Sequence, residues 1–168
     1  MNSTISKNQI SLAGEFAVLS QLALHGFDAN LTLGNTKGVD ILLSDPETGK
    51  MRRLEVKTHS HNKVFQNKRL GKIVGKWRMG DKHEVMNDED LFFCFVAIEH
   101  VTNNFEFYIL PSKVVADYVK WSHANWLAGD PKRVDTPIRS FDLGTREFFY
   151  NHPVPIAEEY RRRWDLLK

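Results

Sequence analysis

The sequence predicts an α/β domain, a central mixed β-sheet flanked by helices. Three observations carry that reading: a capped helical stretch opens the chain, three short alternating segments separated by turn residues follow, and an apolar hairpin then leads into a second helix. The 168 residues fall within the range of roughly 100–200 expected of one domain, and 42% hydrophobic with 26% charged residues is a globular composition. No run approaches the ~20 consecutive apolar residues of a membrane span, and MNSTISKNQI lacks a signal-peptide core. A single domain over 1–168, soluble and cytoplasmic with no membrane partner, is expected. The lone Cys94, inside LFFCFVAI, is expected to be a buried thiol.

Ser6 and Gln9 have capping-box spacing, apolar residues follow helical spacing from Gln9 to His25, and Gly26 stands as the stop. Leu12, Phe16, Leu19 and Ala23 form the stripe expected to face the core, with Glu15 at its edge. FDANLTL (27–33), VDILLSD (39–45) and MRRLEVKTH (51–59) predict three antiparallel strands, with turns at Gly34-Asn35 and at PETG, 46–49. Residues 60–90 are polar, basic and aperiodic apart from VFQ and KIVGKW, and predict a long loop or short pieces of structure. LFFCFVAIE (91–99) and FEFYIL (105–110) predict a second hairpin around Asn103-Asn104, its first strand apolar throughout and therefore central. Pro111-Ser112 opens a helix to about Leu127, and PIAEEYRRRWDLLK predicts a terminal helix.

If PETG is a four-residue hairpin loop, Asp45 pairs with Lys50 and strand positions pair when their numbers sum to 95. Asp40 then lies opposite Glu55, at roughly 5 Å between Cβ atoms, where like charges repel. Lys57 shares that face, and its opposite number Gly38 leaves open space above the sheet. The patch lies on the face away from Ile41, Leu54 and Val56. Carboxylate oxygens are what Mg²⁺ takes, and the metal can bind a phosphate oxygen while lowering the pKa of an attacking water. A lysine beside it can orient or deprotonate that water and offset charge developing on phosphorus. Glu15 can complete the set from the neighbouring helix.

These residues resemble the PD-(D/E)XK nuclease superfamily with its restriction-endonuclease-like fold. The matching pieces are Gly38-Val39-Asp40-Ile41 on one strand and Leu54-Glu55-Val56-Lys57 on the next, preceded by a helix carrying Glu15 and ending in His25-Gly26-Phe27. Over residues 9–60 the order of elements is similar to that of archaeal Holliday-junction resolvases. Carried over residue by residue, the resemblance implies that Asp40 and Glu55 are ligands of Mg²⁺, with Mn²⁺ as a substitute, the Val56 carbonyl a further ligand, Lys57 the catalytic lysine and Glu15 an accessory ligand. Gly38-Val39 stands where the superfamily's name has a proline, as in many members. The long basic segment after Lys57 departs from the resolvases, so their substrate does not carry over.

A net charge of +2 hides an asymmetry. Residues 50–82 hold eleven Lys and Arg against Glu55 and Asp81, a local excess of nine positive charges over a remainder at minus seven. Such a block is a solvated surface or the footprint of a polyanion. Lys63, Lys68, Arg69, Lys72, Lys76 and Arg78 are the candidate nucleic-acid contacts, with Lys76-Trp77-Arg78 equally readable as a core Trp between exposed cations. An E-X-K on the solvent face of a strand is common, but the opposed Asp40 sets this one apart; Glu15 reads equally as a helix-flank carboxylate beside a lysine. His59 and His61 share a strand face without a Cys or third His nearby, which disfavours zinc. Trp121 and Trp126 read as packing, Arg161 to Arg163 as a solvated helix end, and His83 and His123 carry no distinguishing spacing. The expected function is Mg²⁺-dependent hydrolysis of DNA phosphodiesters, with homodimerisation suited to cutting two strands. The rivals are a nucleic-acid-binding module of the same fold without catalysis, and a small-molecule phosphohydrolase, which an open basic segment disfavours.

Overall fold

Ser6 Oγ accepts from the Gln9 N–H at 3.3 Å while Gln9 Oε1 accepts from the Ser6 N–H at 2.8 Å, so the capping box forms and starts α1, Lys7–Leu24. Gly26, at φ +84°, ends it in the left-handed conformation that glycine adopts without strain. The computed structural model describes residues 5–32, 38–61, 65–67, 71–99, 101–148 and 154–168. After α1 come β1 (Asp28–Leu31), β2 (Ile41–Ser44) and β3 (Met51–His61), an antiparallel meander in which Ile41 pairs with Leu54 and Ser44 with Met51, the register expected from the PETG loop.

The segment after β3 is more regular than its composition suggests. β4 (Phe65–Asn67) and β5 (Gly71–Gly80) are followed by a 3-10 turn, Asp81–Glu84. β5 follows period two: Ile73, Gly75, Trp77 and Met79 are buried while Lys76 and Arg78 stand outside. β6 (Leu91–Glu99) then pairs parallel with β3 and antiparallel with β7 (Phe105–Pro111), which makes a mixed five-stranded sheet in the order β1-β2-β3-β6-β7. α2 (Ser112–Ala128) follows directly. β8 (Ile138–Phe148), which no pattern in the sequence announces, joins β4 and β5 in a second sheet ordered β4-β5-β8. The expected terminal helix is instead two short turns, α3 (Ala157–Tyr160) and Trp164–Leu167, separated by Arg162 at φ +53°. A one-residue bridge between Tyr108 and Arg161 holds this break against β7.

β6 is central, as an unbroken apolar strand should be. Its even-numbered residues Phe92, Cys94, Val96 and Ile98 join Val18 and Leu22 of α1 with Ile41, Leu54, Val56 and Trp164 in one core. Phe93 and Phe95 face the other way, into a second core with Trp77, Phe141, Leu143, Val115 and Tyr118 from β5, β8 and α2. Phe95 and Phe141 stack with centroids 4.1 Å apart. The sheet is thus covered by α1 on one face and by the small sheet and α2 on the other.

α1 meets its core along a different stripe from the one expected. Gly14, Val18 and Leu22 are buried, whereas Leu12 and Phe16 are 50% and 54% exposed and Ala23 is also exposed. The reason is close approach: a Cβ at Gly14 would stand 1.9 Å from Thr58 Oγ1 of β3, so the helix lies against the strand where it has no side chain. Trp77 is core, with its indole N–H donating to the Val96 carbonyl at 3.2 Å. Trp126 is not: it is 39% exposed, with Arg133 over its ring and His123 beside it. Arg161 is less a solvated end than a clamp, forming two hydrogen bonds to the Glu106 carboxylate.

Candidate active site

The site forms where β2 stops and β3 continues. Asp40 precedes the first paired residue of β2; its own N–H donates to the Leu54 carbonyl, and its Oδ2 accepts from the Val56 N–H at 2.6 Å. A side chain here replaces the backbone acceptor that a longer β2 would have supplied. Because a residue in a strand presents its N–H and C=O to the same side, the Val56 carbonyl also faces the edge that β2 has vacated. Gly38, at φ +75°, lies over this gap, and a Cβ there would come within 3.3 Å of Glu55 Oε2 and 2.7 Å of the Met86 terminal methyl.

Glu55 points from β3 toward the second core and is 2% exposed. A carboxylate so placed needs cations and donors, and one oxygen collects them all. Oε1 lies 2.5 Å from Lys57 Nζ, 3.0 Å from His83 Nε2 and 3.5 Å from Lys82 Nζ. Oε2 is buried without a hydrogen-bond partner. Burial pushes the Glu55 carboxyl up, but the hydrogen bond from His83 and the charge and hydrogen bond of Lys57 outweigh it and hold the group at about 2.

Asp40 moves the other way. Burial and then the Glu55 charge raise its pKa against the Val56 hydrogen bond, Lys57 and Lys82. Glu15 is raised by burial and by the charge of Asp40, against a hydrogen bond from Ser11 and the charge of Lys57. These mutual influences show that α1, β2 and β3 bring Glu15, Asp40, Glu55 and Lys57 into one electrostatic neighbourhood. Among the described residues, however, no three His, Cys, Asp or Glu side chains gather as a ligand cluster. Oxygen ligation would rest on Asp40, Glu55 and the Val56 carbonyl, with Glu15 nearby and held by Ser11.

Lys82 and His83 carry no signal in sequence. Their partner is some 28 positions away, and only the turn after β5 brings them to it. Lys76 and Arg78, by contrast, lie on the outer face of β5, away from Glu55, beside a cleft of about 590 Å³ walled by Trp121 and Trp126 of α2 and by Ser140 and Asp142 of β8. Lys72 is half-buried on the same strand. Lys63, Lys68 and Arg69 lie outside the described residues, as does the His61 side chain. Part of the basic block is neutralised internally: Arg52 pairs with Asp90, and Arg53 with Asp88 at 2.6 Å. His59 lies edge-on to Trp77, 6.2 Å between centroids.

No family model and no curated protein matches the chain. Among solved structures it is similar to a bacterial homing endonuclease, I-Ssp6803I, at 17% identity, with a TM-score of 0.52 over 98% of this chain and 92% of that one. The likeness spans both sheets and both long helices, and what it shows is a shared fold. Among the described residues no helix is long and apolar enough to cross a membrane.

Proposed function

We propose that this protein is a Mg²⁺-dependent DNA endonuclease of the PD-(D/E)XK type, with Asp40, Glu55 and Lys57 as its working residues. The observation that carries the reading is Glu55: a buried carboxylate beside a lysine, with one oxygen left without a donor between Gly38 and the Met86 methyl. The donor set suits a hard cation. Two carboxylates and a backbone carbonyl are all oxygen, and Mg²⁺ is commonly held by one or two carboxylates with water and phosphate completing its shell. Bound there, the metal would polarise a phosphate oxygen and acidify an attacking water.

The chain's own residues do the rest. Asp40, already tied to Val56, and Glu55, tied to Lys57 and His83, are fixed before any ligand arrives, which is how a site avoids reorganising during reaction. Lys57, about a quarter exposed, places an ammonium at the rim, where it can orient water and balance charge on phosphorus. Lys82, half exposed and also beside Glu55, adds a second cation there. Lys76 and Arg78, exposed on the face of β5 away from Glu55, offer a second basic surface to a DNA backbone, contacts that supply affinity without sequence choice. Homodimerisation would supply a second site for the second strand. That the similar structure is a homing endonuclease supports the same reading.

The deciding experiment is cleavage of plasmid and of branched, duplex and single-stranded DNA with Mg²⁺ or Mn²⁺. Nicking should be metal-dependent, and Asp40→Ala, Glu55→Ala and Lys57→Ala should each reduce it by at least a hundredfold while the circular dichroism of the fold persists. DNA binding with no cleavage by the wild type under any of these conditions would leave the non-catalytic binding module as the correct reading.

A further inference from the structure

We propose that His83 is the positioning residue of this site: it holds the Glu55 carboxylate so that Oε1 is consumed inside the protein and Oε2 alone is presented to a divalent cation. The inference rests on the nuclease reading above and adds a residue outside the set of Asp40, Glu55 and Lys57.

His83 is itself immobilised. It is 3% exposed, its ring meets the edge of Phe93 at 5.8 Å between centroids, and Nδ1 lies 2.9 Å from both the N–H and the carbonyl of Gly80. As the Nε2–H tautomer it accepts from the Gly80 N–H and donates to Glu55 Oε1 at 3.0 Å. The turn after β5 thus delivers a rigid donor, anchored at its far nitrogen by the backbone, to one oxygen of a buried carboxylate.

Neither lysine can do the same work. Lys57 and Lys82 reach Oε1 on flexible four-carbon stems and would follow the carboxylate wherever it turned. The terminal torsion of a glutamate is broad, so nothing intrinsic to Glu55 fixes which oxygen faces which way. Take away the imidazole, and the carboxylate is free to rotate and offer both oxygens to the two ammonium groups. Oε2, buried beside Gly38 and the Met86 methyl, would then no longer be the one carboxylate oxygen without a hydrogen-bond partner. Hydrogen-bond partners that orient a metal ligand in this way change metal affinity by roughly 10–100-fold when removed.

The test uses the full-length protein and Mn²⁺ as probe, with free Mn²⁺ counted by electron paramagnetic resonance. Wild type should bind Mn²⁺, His83→Leu should bind it at least tenfold more weakly, and His83→Gln, which keeps an N–H at similar reach, should recover most of the difference. Melts in EDTA accompany each variant, because a purely structural histidine would lower the melting temperature without changing the affinity of the folded fraction. Should the Leu variant fail to fold, ¹⁵N-imidazole spectra of the wild type keep the question open to decision. Mg²⁺ should shift the His83 Nε2 resonance and leave that of His123, which faces Asp135, in place. If wild type binds Mn²⁺ and both variants bind it as tightly, or if Mg²⁺ moves neither histidine, His83 is not the positioning residue and the nuclease reading survives. If wild type binds no Mn²⁺, the metal-dependent reading and this inference fall together.

Discussion

Asp40 and Glu55, neighbours across the end of the β2–β3 ladder, are pulled to opposite sides of the ordinary carboxylate range, and the two pulls have opposite consequences for stability. Glu55, held at about 2 against an ordinary 4.5, stabilises the fold above pH 4.5, a contribution on the order of 3 kcal/mol that is lost as pH falls toward 2. Asp40 is raised from 3.8, so the folded protein binds its proton more tightly than the unfolded chain does. Its favourable contribution is present below 3.8 and is lost as pH climbs through the raised value. Asp40→Asn keeps an acceptor for the Val56 N–H and removes the charge. In EDTA the variant should match wild type at low pH and melt higher at neutral pH, and it should lose the added stability that millimolar Mg²⁺ confers on wild type by mass action. An Asn variant melting below wild type in EDTA at pH 7 would show that burial and the Glu55 charge do not disfavour the Asp40 carboxylate. At this scale the sequence was a partial guide. Asp40, Glu55 and Lys57 were legible because a turn of known length fixes a hairpin register, and register alone sets which residues share a patch. His83 and Lys82 were not, since their contact with Glu55 depends on how a distant turn packs.

Elements were legible where a local cap or a period-two pattern specified them, and obscure where close approach or a buried polar group broke the pattern. α1 began at its capping box, yet its buried face runs through Gly14, a residue that hydrophobic patterning never nominates for a core. β5 kept its alternation, masked by the lysines on its outer face and by Gly75 and Gly80 within it. β8 sets Asp142, buried and hydrogen-bonded by the Tyr118 hydroxyl at 2.9 Å, between Phe141 and Leu143, and buries Arg139 and Thr145 on either side of them, so no apolar run marks it. The α1–β3 contact gives a direct prediction. Gly14→Ala gains about 1 kcal/mol of helix propensity, but the added methyl must displace Thr58 or the helix itself, and overpacking of that kind costs roughly 1–3 kcal/mol. A net loss of stability in urea titrations is expected; a gain would mean that the helix moves freely over the strand. β5 gives another. Replacing Lys72, Lys76 and Arg78 with Gln should flatten the slope of log K against log salt for duplex DNA by about two to three units if all three touch phosphate. An unchanged slope would place the DNA elsewhere on the protein.

Across the whole molecule, two cores that share no side chain are joined through two adjacent strands. α1, the meander and the Trp164 turn bury one; α2 and the small sheet bury the other; β7 and, between it and β3, β6 belong to both by alternation. The catalytic proposal depends on that joint, because Glu55 sits on one layer and His83 arrives from the other. β6 also has β3 on one edge and β7 on the opposite edge, so its backbone amides are paired along nearly its whole length. Deuterium therefore has no shallow route to them. Amides of residues 92–98 should exchange only through complete unfolding, with the same denaturant dependence as the global transition, whereas those of β4 and β5, in a sheet of three strands, should exchange through smaller openings at lower free energy. In such a molecule a partial opening of the small sheet takes His83 and Lys82 away from Glu55 while β3, the strand that carries the carboxylate, stays paired to β6.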